Sequence, residues 1–329
     1  MTLLARRALR VSIVLLAILA TSCGSRSAVP LRISISEWPP YEFLHLAREQ
    51  GFFEQEGVEV RLIEFAAMSD ARRAFEHRQV DGGLFSIFET LHVRDQSHRA
   101  LRIPLVIDFS DGADAVMARP GVERVSDLRG KRFGLALSAL NVYVAERALN
   151  LHGLSLDDVI VVPCEDIDMM DYLREGKVDA VVNYPPSRTR IEQAGLARPI
   201  FTSAQIPGEI VDVLALDEAV IRERPEDVAR LIRAFYRAVE FARTNPQEAY
   251  RIMGMRERID AATFRAALTE GVTLVQLAEQ ERFLAADSPF ARQVAEIARI
   301  LHRRQQISRT SIATDLLSPE PAALAAGAD

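Results

Sequence analysis

The sequence alternates short β-rich runs with helical segments along most of its length, and this alternation limits the fold more than any other feature. The run Leu31–Ser36 is apolar and β-branched, and Tyr41–Gln50 has helical spacing and ends at Gly51. Two further β-rich runs, Val58–Phe65 and Val80–Ser86, continue the pattern. Such alternation is typical of βαβ units, so the sequence predicts an α/β protein with mainly parallel sheets.

Turn-forming residues divide this pattern into segments. The run Ser110–Asp114 is rich in Ser, Asp and Gly, and Pro207-Gly208 marks a second break. A second α/β unit lies between the two breaks, and after Pro225 the apolar residues recur at purely helical spacing. A chain of 329 residues exceeds what one hydrophobic core usually organises. We therefore expect two domains.

The first 22 residues have the pattern of a signal peptide. Arg6, Arg7 and Arg10 precede an apolar stretch over 11–20. That stretch is too short for a membrane span, which needs about 20 apolar residues. Residues 1–22 are therefore excluded from the fold. The small, polar segment 23–30 is predicted to be a tether.

Cys23 follows Ala20, Thr21 and Ser22 in a run that resembles a lipobox, the signal for attaching lipid to a cysteine. Three interpretations stay open: a lipoprotein acylated at Cys23, with palmitate or a similar chain, an ordinary secretory signal, and a plain membrane anchor. We favour lipidation, which anchors a protein stably when more than one acyl chain is attached. Cys164 then has no intramolecular partner, and we expect a small buried side chain there.

The charge balance excludes one class of partner. The formal net charge is −6, and loss of 1–22 removes three arginines and no acid, which makes the mature part more acidic still. Because nucleic-acid binding depends on neutralising phosphates with Lys and Arg, we expect no nucleic acid as a partner.

Four stretches, taken in order, carry a resemblance to a known family. They are LAREQGFFEQEGVEV over 46–60, VDGG over 80–83, VSDLRGKRFG over 125–134 and EGKVDAV over 175–181. Their combination resembles the nitrate/sulfonate/taurine family of periplasmic substrate-binding proteins, which is relatively close to the thiamine-precursor binders. No single stretch is specific, but their order and spacing cover most of 31–255.

The resemblance implies the type II periplasmic-binding-protein fold, in which two lobes enclose a cleft and the chain crosses between them twice at a hinge. Lobe 1 would then comprise 31–109 plus 208–317, and lobe 2 would comprise 110–207. The composition of residues 318–329, which is rich in Ala and Pro, predicts a flexible tail. A ligand that contacts both lobes would close the cleft, and the protein is expected to be a monomer.

Ligands of open α/β sheets bind beyond the carboxyl ends of the strands, near helix N-termini. This rule selects five loops of the sequence. Their candidate ligand-binding residues are Trp38, Tyr41, Ser86, Asp111, Ser138, Asn141, Asn183 and Tyr184.

Several of these residues have an equally good structural explanation. Trp38, the only tryptophan, is either a stacking or cation–π platform or a cover for the sheet edge. Helix capping explains Ser86 and Ser138, and turn formation explains Asp111. The helix start Ser138–Asn141 also suits a sulfonate, carboxylate or phosphate, because free N–H groups point outward there.

The same loops give an indication of the ligand. The resembled family often carries Glu-Pro where this chain has Asn183–Tyr184, so no acidic role is transferred to that position. The loops contain no Lys and have only Arg188 nearby, so simple inorganic anions such as nitrate are not expected. Glu37, Asp111 and Trp38 favour an amine-bearing or heteroaromatic solute instead.

We therefore predict an extracytoplasmic solute-binding lipoprotein on the periplasmic face of a bacterial membrane. It would deliver a small organic solute (a sulfonate, an amine or a heteroaromatic such as a thiamine precursor) to the permease and ATPase of an ABC transporter. A solute-sensing lipoprotein that signals to a membrane receptor is the alternative, and an enzyme on the same fold is less favoured.

The sequence motifs give little support to catalysis. Eukaryotic pyrimidine synthases related to the thiamine-precursor binders carry a Cys-rich iron motif, and this chain has only two cysteines. None of the six histidines pairs with another His or a Cys at metal-ligand spacing, and no Walker A, G-x-S-x-G or H-E-x-x-H motif occurs. We expect no enzyme activity, no cofactor and no metal.

Overall fold

The computed structural model describes residues 29–65, 68–97, 99–136 and 138–327. The predicted signal peptide, Cys23 and most of the predicted tether lie outside the described residues. Among the described helices, none has the length and apolar character needed to cross a membrane.

The strands form two separate sheets. In chain order they are β1 (Leu31–Ile35), β2 (Val60–Glu64), β3 (Gly82–Ser86), β4 (Leu101–Ser110), β5 (Ala115–Ala118), β6 (Arg132–Leu135), β7 (Ile160–Pro163), β8 (Ala180–Asn183), β9 (Arg198–Thr202), β10 (Val211–Asp217) and β11 (Val272–Leu274). The larger sheet has the order β11-β4-β10-β3-β1-β2, and the smaller sheet has the order β7-β6-β8-β5-β9.

Parallel and antiparallel pairs occur in both sheets. β1 pairs in parallel with β2 and β3, and β6 pairs in parallel with β7 and β8. β10 runs antiparallel to β3 and β4, and β5 runs antiparallel to β8 and β9. The parallel pairs place the carboxyl ends of β1 and β3, and those of β6, β7 and β8, at one edge of their sheets. Ligand sites of α/β proteins form at such edges.

The helices lie between the strands and, after β10, follow one another with few interruptions. They are α1 (Glu42–Glu49), α2 (Phe52–Glu56), α3 (Met68–Glu76), α4 (Ile87–Gln96), α5 (Ala139–Leu151), α6 (Met169–Arg174), α7 (Ser187–Gln193), α8 (Glu218–Glu223), α9 (Pro225–Thr244), α10 (Pro246–Arg256), α11 (Ala261–Glu270), α12 (Gln280–Leu284), α13 (Pro289–Arg303) and α14 (Glu320–Ala326). The apolar stripe predicted after Pro225 forms the buried face of α9, where Val228, Leu231 and Ile232 are inaccessible to solvent.

The chain passes between the two sheets twice. It leaves the larger sheet after Ser110 and returns to it at Val211. The two crossing segments bond to each other: the Ser110 and Ser203 hydroxyls are 2.8 Å apart, and the Gly112 N–H donates to Ser203 Oγ at 2.6 Å. These bonds hold the two crossing segments side by side.

Two elements differ from the sequence-based expectation. Val272–Leu274, within the region predicted to be purely helical, forms β11 at the edge of the larger sheet. Three residues are too few for an alternating pattern to be recognised. The structure also places α14 within the segment expected to be a flexible tail, with Pro321, Ala322 and Ala325 buried. The small Ala and Pro side chains of this segment allow close packing. The segment has no large apolar residues at helical spacing that would have predicted a packed helix.

Candidate functional site

A cavity of about 250 Å³ lies between loops of the larger sheet and loops of the smaller sheet. Its walls come from the ends of β1, β3 and β10 on one side and from the segments after β6, β7 and β8 on the other. The loops predicted from the carboxyl ends of the strands therefore meet in one place.

Two aromatic side chains from the loop after β1 form the wall on the side of the larger sheet. Pro39 and Pro40 turn the chain directly into α1, and this turn buries both Trp38 and Tyr41. Trp38 Nε1 donates to Asp108 Oδ2 at 3.3 Å, and the Tyr41 hydroxyl donates to Asp212 Oδ1 at 2.8 Å. Each ring is thus fixed by a buried carboxyl group.

Those two carboxyl groups lie on adjacent strands. Asp108 and Asp212 face each other in the antiparallel pairing of β4 with β10, and both are at most 5% exposed. Burial and mutual repulsion raise the pKa of Asp108 well above its usual range. Burial is also the main cause of the raised pKa of Asp212. Since two adjacent buried carboxylates cannot both remain charged, we infer that the pair shares a proton.

The wall on the side of the smaller sheet is built around Asp166. Asn141 Nδ2 donates to Asp166 Oδ1 at 3.0 Å, and the Tyr184 hydroxyl donates to Asp166 Oδ2 at 3.3 Å. Burial raises the pKa of Asp166 to about 6, although these two bonds oppose the shift. Asn141 therefore positions an acidic group that itself lines the cavity.

Helix starts supply the next part of the wall. Ser86 caps α4 by accepting the Glu89 N–H at 3.2 Å, and Ser138 caps α5 by accepting the Asn141 N–H at 3.2 Å. Glu89 extends across to α5, where its Oε1 accepts the N–H of Ala139 at 2.7 Å. The capping roles predicted for both serines are present, and both serines also line the cavity.

Acidic side chains dominate the lining among the described residues. Those lining the cavity are Glu37, Glu89, Asp114, Glu165, Asp166 and Asp212. Burial raises the pKa of Asp114 to about 6. The basic groups are Arg72, which is 3.4 Å from Glu76, and His92, whose pKa is lowered mainly by burial. The lining therefore carries a strongly negative potential once its carboxyl groups ionise.

Direct contacts join the two sides of the cavity. The rings of Trp38 and Tyr184 meet edge to face, with their centroids 5.8 Å apart and an angle of 78° between their planes. Arg190 of α7 lies 3.5 Å from the Glu37 carboxylate and donates to the backbone oxygen of Glu257 at 2.6 Å. The described conformation is thus one in which both sides touch.

The eight candidates from the sequence fall into two groups. The residues that line the cavity are Trp38, Tyr41, Ser86, Ser138 and Tyr184. Asn141 and Asn183 are buried behind it, and Asn183 accepts the Tyr184 N–H at 2.7 Å. Asp111 is exposed, outside the lining. Arg188, the basic residue near these loops in the sequence, donates to the backbone oxygens of Gly112 and Ala113.

Sequence reasoning missed most of the acidic lining. Asp108 and Asp212 interrupt the apolar strands LRIPLVIDFS and VDVLALD, and an isolated acid in a buried strand is a usable signal. Glu89 follows Ser86 by three residues, a spacing that helix capping alone would explain. Asp114 and Asp166 lie in polar loops that gave no such signal.

Comparison with known proteins decides the family. Residues 38–249 match the family described as NMT1/THI5 like. The chain belongs to this family. The match covers the cavity lining from Trp38 onward, on both sheets, together with all of α9 and the first turn of α10.

The curated relatives of the chain carry two kinds of name. A putative binding protein of Brucella abortus is 26% identical over 166 residues, which are 49% of this chain and 52% of the relative. The chain thus spans about half the length of the first curated relatives it matches. A 4-amino-5-hydroxymethyl-2-methylpyrimidine phosphate synthase of Saccharomyces cerevisiae is 20% identical over 234 residues, covering 65% of this chain and 67% of the enzyme.

Solved structures agree on the fold. The periplasmic aliphatic sulphonate binding protein SsuA of Escherichia coli superposes with a TM-score of 0.74 at 13% identity, covering 88% of this chain and 92% of SsuA. The predicted α/β class, with the type II periplasmic-binding-protein fold, two lobes and a cleft, is confirmed. At this identity the likeness concerns the fold alone.

Proposed function

We propose that this protein is an extracytoplasmic solute-binding protein whose cavity takes a small, positively charged, nitrogen-bearing organic solute. The observation that carries the proposal is the lining itself, in which buried carboxyl groups surround aromatic rings. A cavity of about 250 Å³ has room for a single substituted ring but not for a large ligand.

The balance of charge favours a cation over an anion. Nitrate or a sulfonate would have to approach six acidic side chains with only Arg72 as a fully charged basic group. A protonated amine or aminopyrimidine would instead pair with Asp166 or Asp212 and offset the cost of ionising them. Sulfonates, which the sequence left open as ligands, are therefore the less favoured class.

The aromatic groups favour a flat or cationic ligand. Trp38, Tyr41 and Tyr184 border the same space, and the face of an aromatic ring attracts a cation that approaches within about 6 Å. The yeast relatives are named for an aminopyrimidine phosphate. An aminopyrimidine, including a thiamine precursor, would satisfy both the rings and the carboxyl groups of this cavity.

The two-sheet architecture supports closure around the solute. We propose the lobe limits 31–109 plus 208–317 and 110–207, with the crossing segments as the hinge. Ligand contacts with both Trp38 and Asp166 would exist only in the closed state and would shift the population toward it. The loaded form would then be recognised by the permease and ATPase of an ABC transporter, with the protein acting as a monomer.

The anchor belongs to the same proposal. Lipid on Cys23 and a tether over 23–30 would keep the protein beside its membrane partner, on the periplasmic face. A solute-sensing role, in which the loaded protein signals to a receptor, uses the same cavity and anchor. Neighbouring genes for a permease and an ATPase would favour transport, and a neighbouring sensor gene would favour signalling.

One observation keeps an enzyme as the second candidate, namely the similarity to the yeast synthase. The described residues hold one cysteine, Cys164, and its pKa is raised to about 11, mainly by burial. A thiol in that state is a poor nucleophile. We therefore favour binding, and incubation with an aminopyrimidine followed by mass spectrometry would reveal any conversion.

A thermal-shift screen tests the proposed ligand class. The probes are an arylalkyl primary amine, which is protonated at neutral pH, an aminopyrimidine, methanesulfonate and nitrate, each at the same ionic strength. The proposal predicts that one or both nitrogenous probes raise the unfolding midpoint in a saturable manner. Stabilisation by nitrate or methanesulfonate, with no effect of either nitrogenous probe, would overturn it.

A further inference from the structure

Glu89 makes a contact that its position in the sequence does not predict. It lies three residues after the N-cap Ser86, where a glutamate normally folds back to the N–H of the capping residue. Its Oε1 instead accepts the N–H groups of Ala139, at 2.7 Å, and Leu140, at 3.3 Å. Glu89 therefore links α4, which follows a strand of the larger sheet, to the start of α5.

The two N–H groups that Glu89 accepts are those to which an external anion would bind. The first N–H groups of a helix have no partner within the helix, and they carry the positive end of its dipole. α5 has 13 residues, and Ser138 satisfies only the N–H of Asn141. The carboxyl group of Glu89, which is 6% exposed, therefore occupies the position in which an external anion would accept the N–H groups of Ala139 and Leu140.

We propose that Glu89 determines specificity by filling the anion position at the start of α5, so that sulfonate, sulfate and phosphate groups are excluded from the cavity. An anionic ligand would have to displace a buried side chain and approach its charge. The cavity then retains carboxyl groups for a cation. The exclusion of anions rests on geometry, and only the nature of the accepted solute rests on the proposed function.

Two substitutions separate the charge of Glu89 from its hydrogen bonds. Glu89→Ala removes the carboxyl group and leaves the N–H groups of Ala139 and Leu140 free. Glu89→Gln keeps an oxygen that accepts the same N–H groups, so the anion position stays filled. The glutamine variant is therefore the matched control for a gain of anion binding.

The test measures the thermal midpoint of the full chain in methanesulfonate or inorganic phosphate, against sodium chloride at equal ionic strength. Wild type and Glu89→Gln should show no saturable anion effect. Glu89→Ala should bind methanesulfonate at least about tenfold more tightly than wild type. The proposal is wrong if wild type binds methanesulfonate as well as Glu89→Ala does, or if a folded Glu89→Ala variant gains no affinity.

A second measurement covers the case in which Glu89→Ala does not fold. In ¹H–¹⁵N spectra of the wild type, the amides of Ala139 and Leu140 should shift as Glu89 titrates, and this titration should vanish in Glu89→Gln. Amides that do not follow Glu89 would overturn the proposal. Failure of an aminopyrimidine to bind the wild type would instead count against the proposed function alone.

Discussion

At the scale of single residues, the pair Asp108 and Asp212 is the most unusual feature of the molecule. Like charges directly opposite each other in a sheet destabilise it, and these two acids also lie in buried strands. Trp38 and Tyr41 each donate one hydrogen bond to the pair, but neither side chain is positively charged. If the pair shares one proton, one negative charge remains. We infer that a cationic ligand compensates this charge.

Asp212→Asn should weaken binding of a cationic ligand by about tenfold to a hundredfold, since the loss of one close opposite charge costs about 1.5–3 kcal/mol. The Tyr41 hydroxyl still finds an oxygen acceptor in the variant. Because the variant also lacks a buried acid whose pKa is raised, the free protein should be at least as stable as wild type at neutral pH. Calorimetric titration measures the affinity. Asp111→Asn, in an exposed loop outside the lining, is the control and should bind like wild type.

The single tryptophan allows a direct optical test. Because Trp38 is buried against the cavity, ligand binding should change its fluorescence, and the chain has no other tryptophan to obscure the signal. Trp38→Phe should lose about tenfold in affinity through the weaker ring and the missing bond to Asp108. Tyr172→Phe, away from the cavity lining, should bind normally. Equal affinity of Trp38→Phe and wild type would exclude Trp38 as a platform for the ligand.

The residue scale also shows what the sequence predicted and what it did not. The rule for carboxyl ends of strands found Trp38 and Tyr184, because these follow clear β-rich runs. The rule could not identify the pair of buried carboxyl groups on β4 and β10, because these strands pair residues that lie about a hundred positions apart in the sequence. Asp108 and Asp212 therefore become a pair only in three dimensions.

At the scale of elements, the stretch Val80–Gly83 has a steric explanation. Gly82 lies where β3 passes β10, and a Cβ atom there would overlap the backbone oxygen of Ala215. Gly83 is equally close to Ser34 on β1. Two glycines thus allow β3 to lie close to both β10 and β1. This packing brings the ends of β1 and β3 together at the cavity.

Gly82→Ala should therefore destabilise the protein by about 1–3 kcal/mol, the usual cost of overpacking a core. Urea unfolding followed by circular dichroism measures the change. Gly327→Ala is the matched control, since a Cβ atom there meets no heavy atom closer than 3.5 Å and its stability should stay near that of wild type. A Gly82→Ala variant as stable as wild type would show that β3 and β10 can move apart without loss of unfolding free energy.

Elements of ordinary length were predictable, and short or compositionally plain ones were not. The strand Leu31–Ile35 and the helix Ala139–Leu151 lie close to their predicted positions because pattern and capping agree there. β11 forms only because Val272–Leu274 meets the free edge of β4, and α14 forms because its small residues pack against the rest of the chain. Both depend on tertiary contacts.

At the scale of the whole molecule, the buried acids make stability depend on pH in an unusual direction. The pKa values of Asp114 and Asp166 rise to about 6, and that of Asp212 also rises. Between about pH 4 and 7 the folded state therefore binds more protons than the unfolded chain. The free protein should lose stability as the pH rises through this window, as urea unfolding at several pH values would show. Stability that increases across the same window would contradict these pKa shifts.

A cationic ligand should reverse this trend. Binding favours the ionised carboxylates, so the affinity should increase from pH 5 to pH 8, by up to about tenfold per pH unit for each proton released. Calorimetry in two buffers of different ionisation enthalpy measures the released protons directly. An affinity independent of pH would mean that none of these acids contacts the ligand.

The anchor is tested by Cys23→Ala, whose position lies outside the described residues. The variant should appear in the soluble fraction or keep its signal peptide uncleaved, because the site of lipidation is gone. Membrane fractionation and gel mobility measure both outcomes. A variant that fractionates and migrates like wild type would remove the lipid anchor from the proposal and leave the cavity unaffected.

The central claim is that an acidic, aromatic cavity selects a cationic nitrogenous solute. The most direct measurement is calorimetric titration of the purified protein at pH 7.5 with an amine-bearing aminopyrimidine and, separately, with methanesulfonate. We predict saturable binding of the aminopyrimidine at one molecule per chain, weakened in Asp212→Asn, and no binding of methanesulfonate. Binding of methanesulfonate without binding of the aminopyrimidine would contradict the claim.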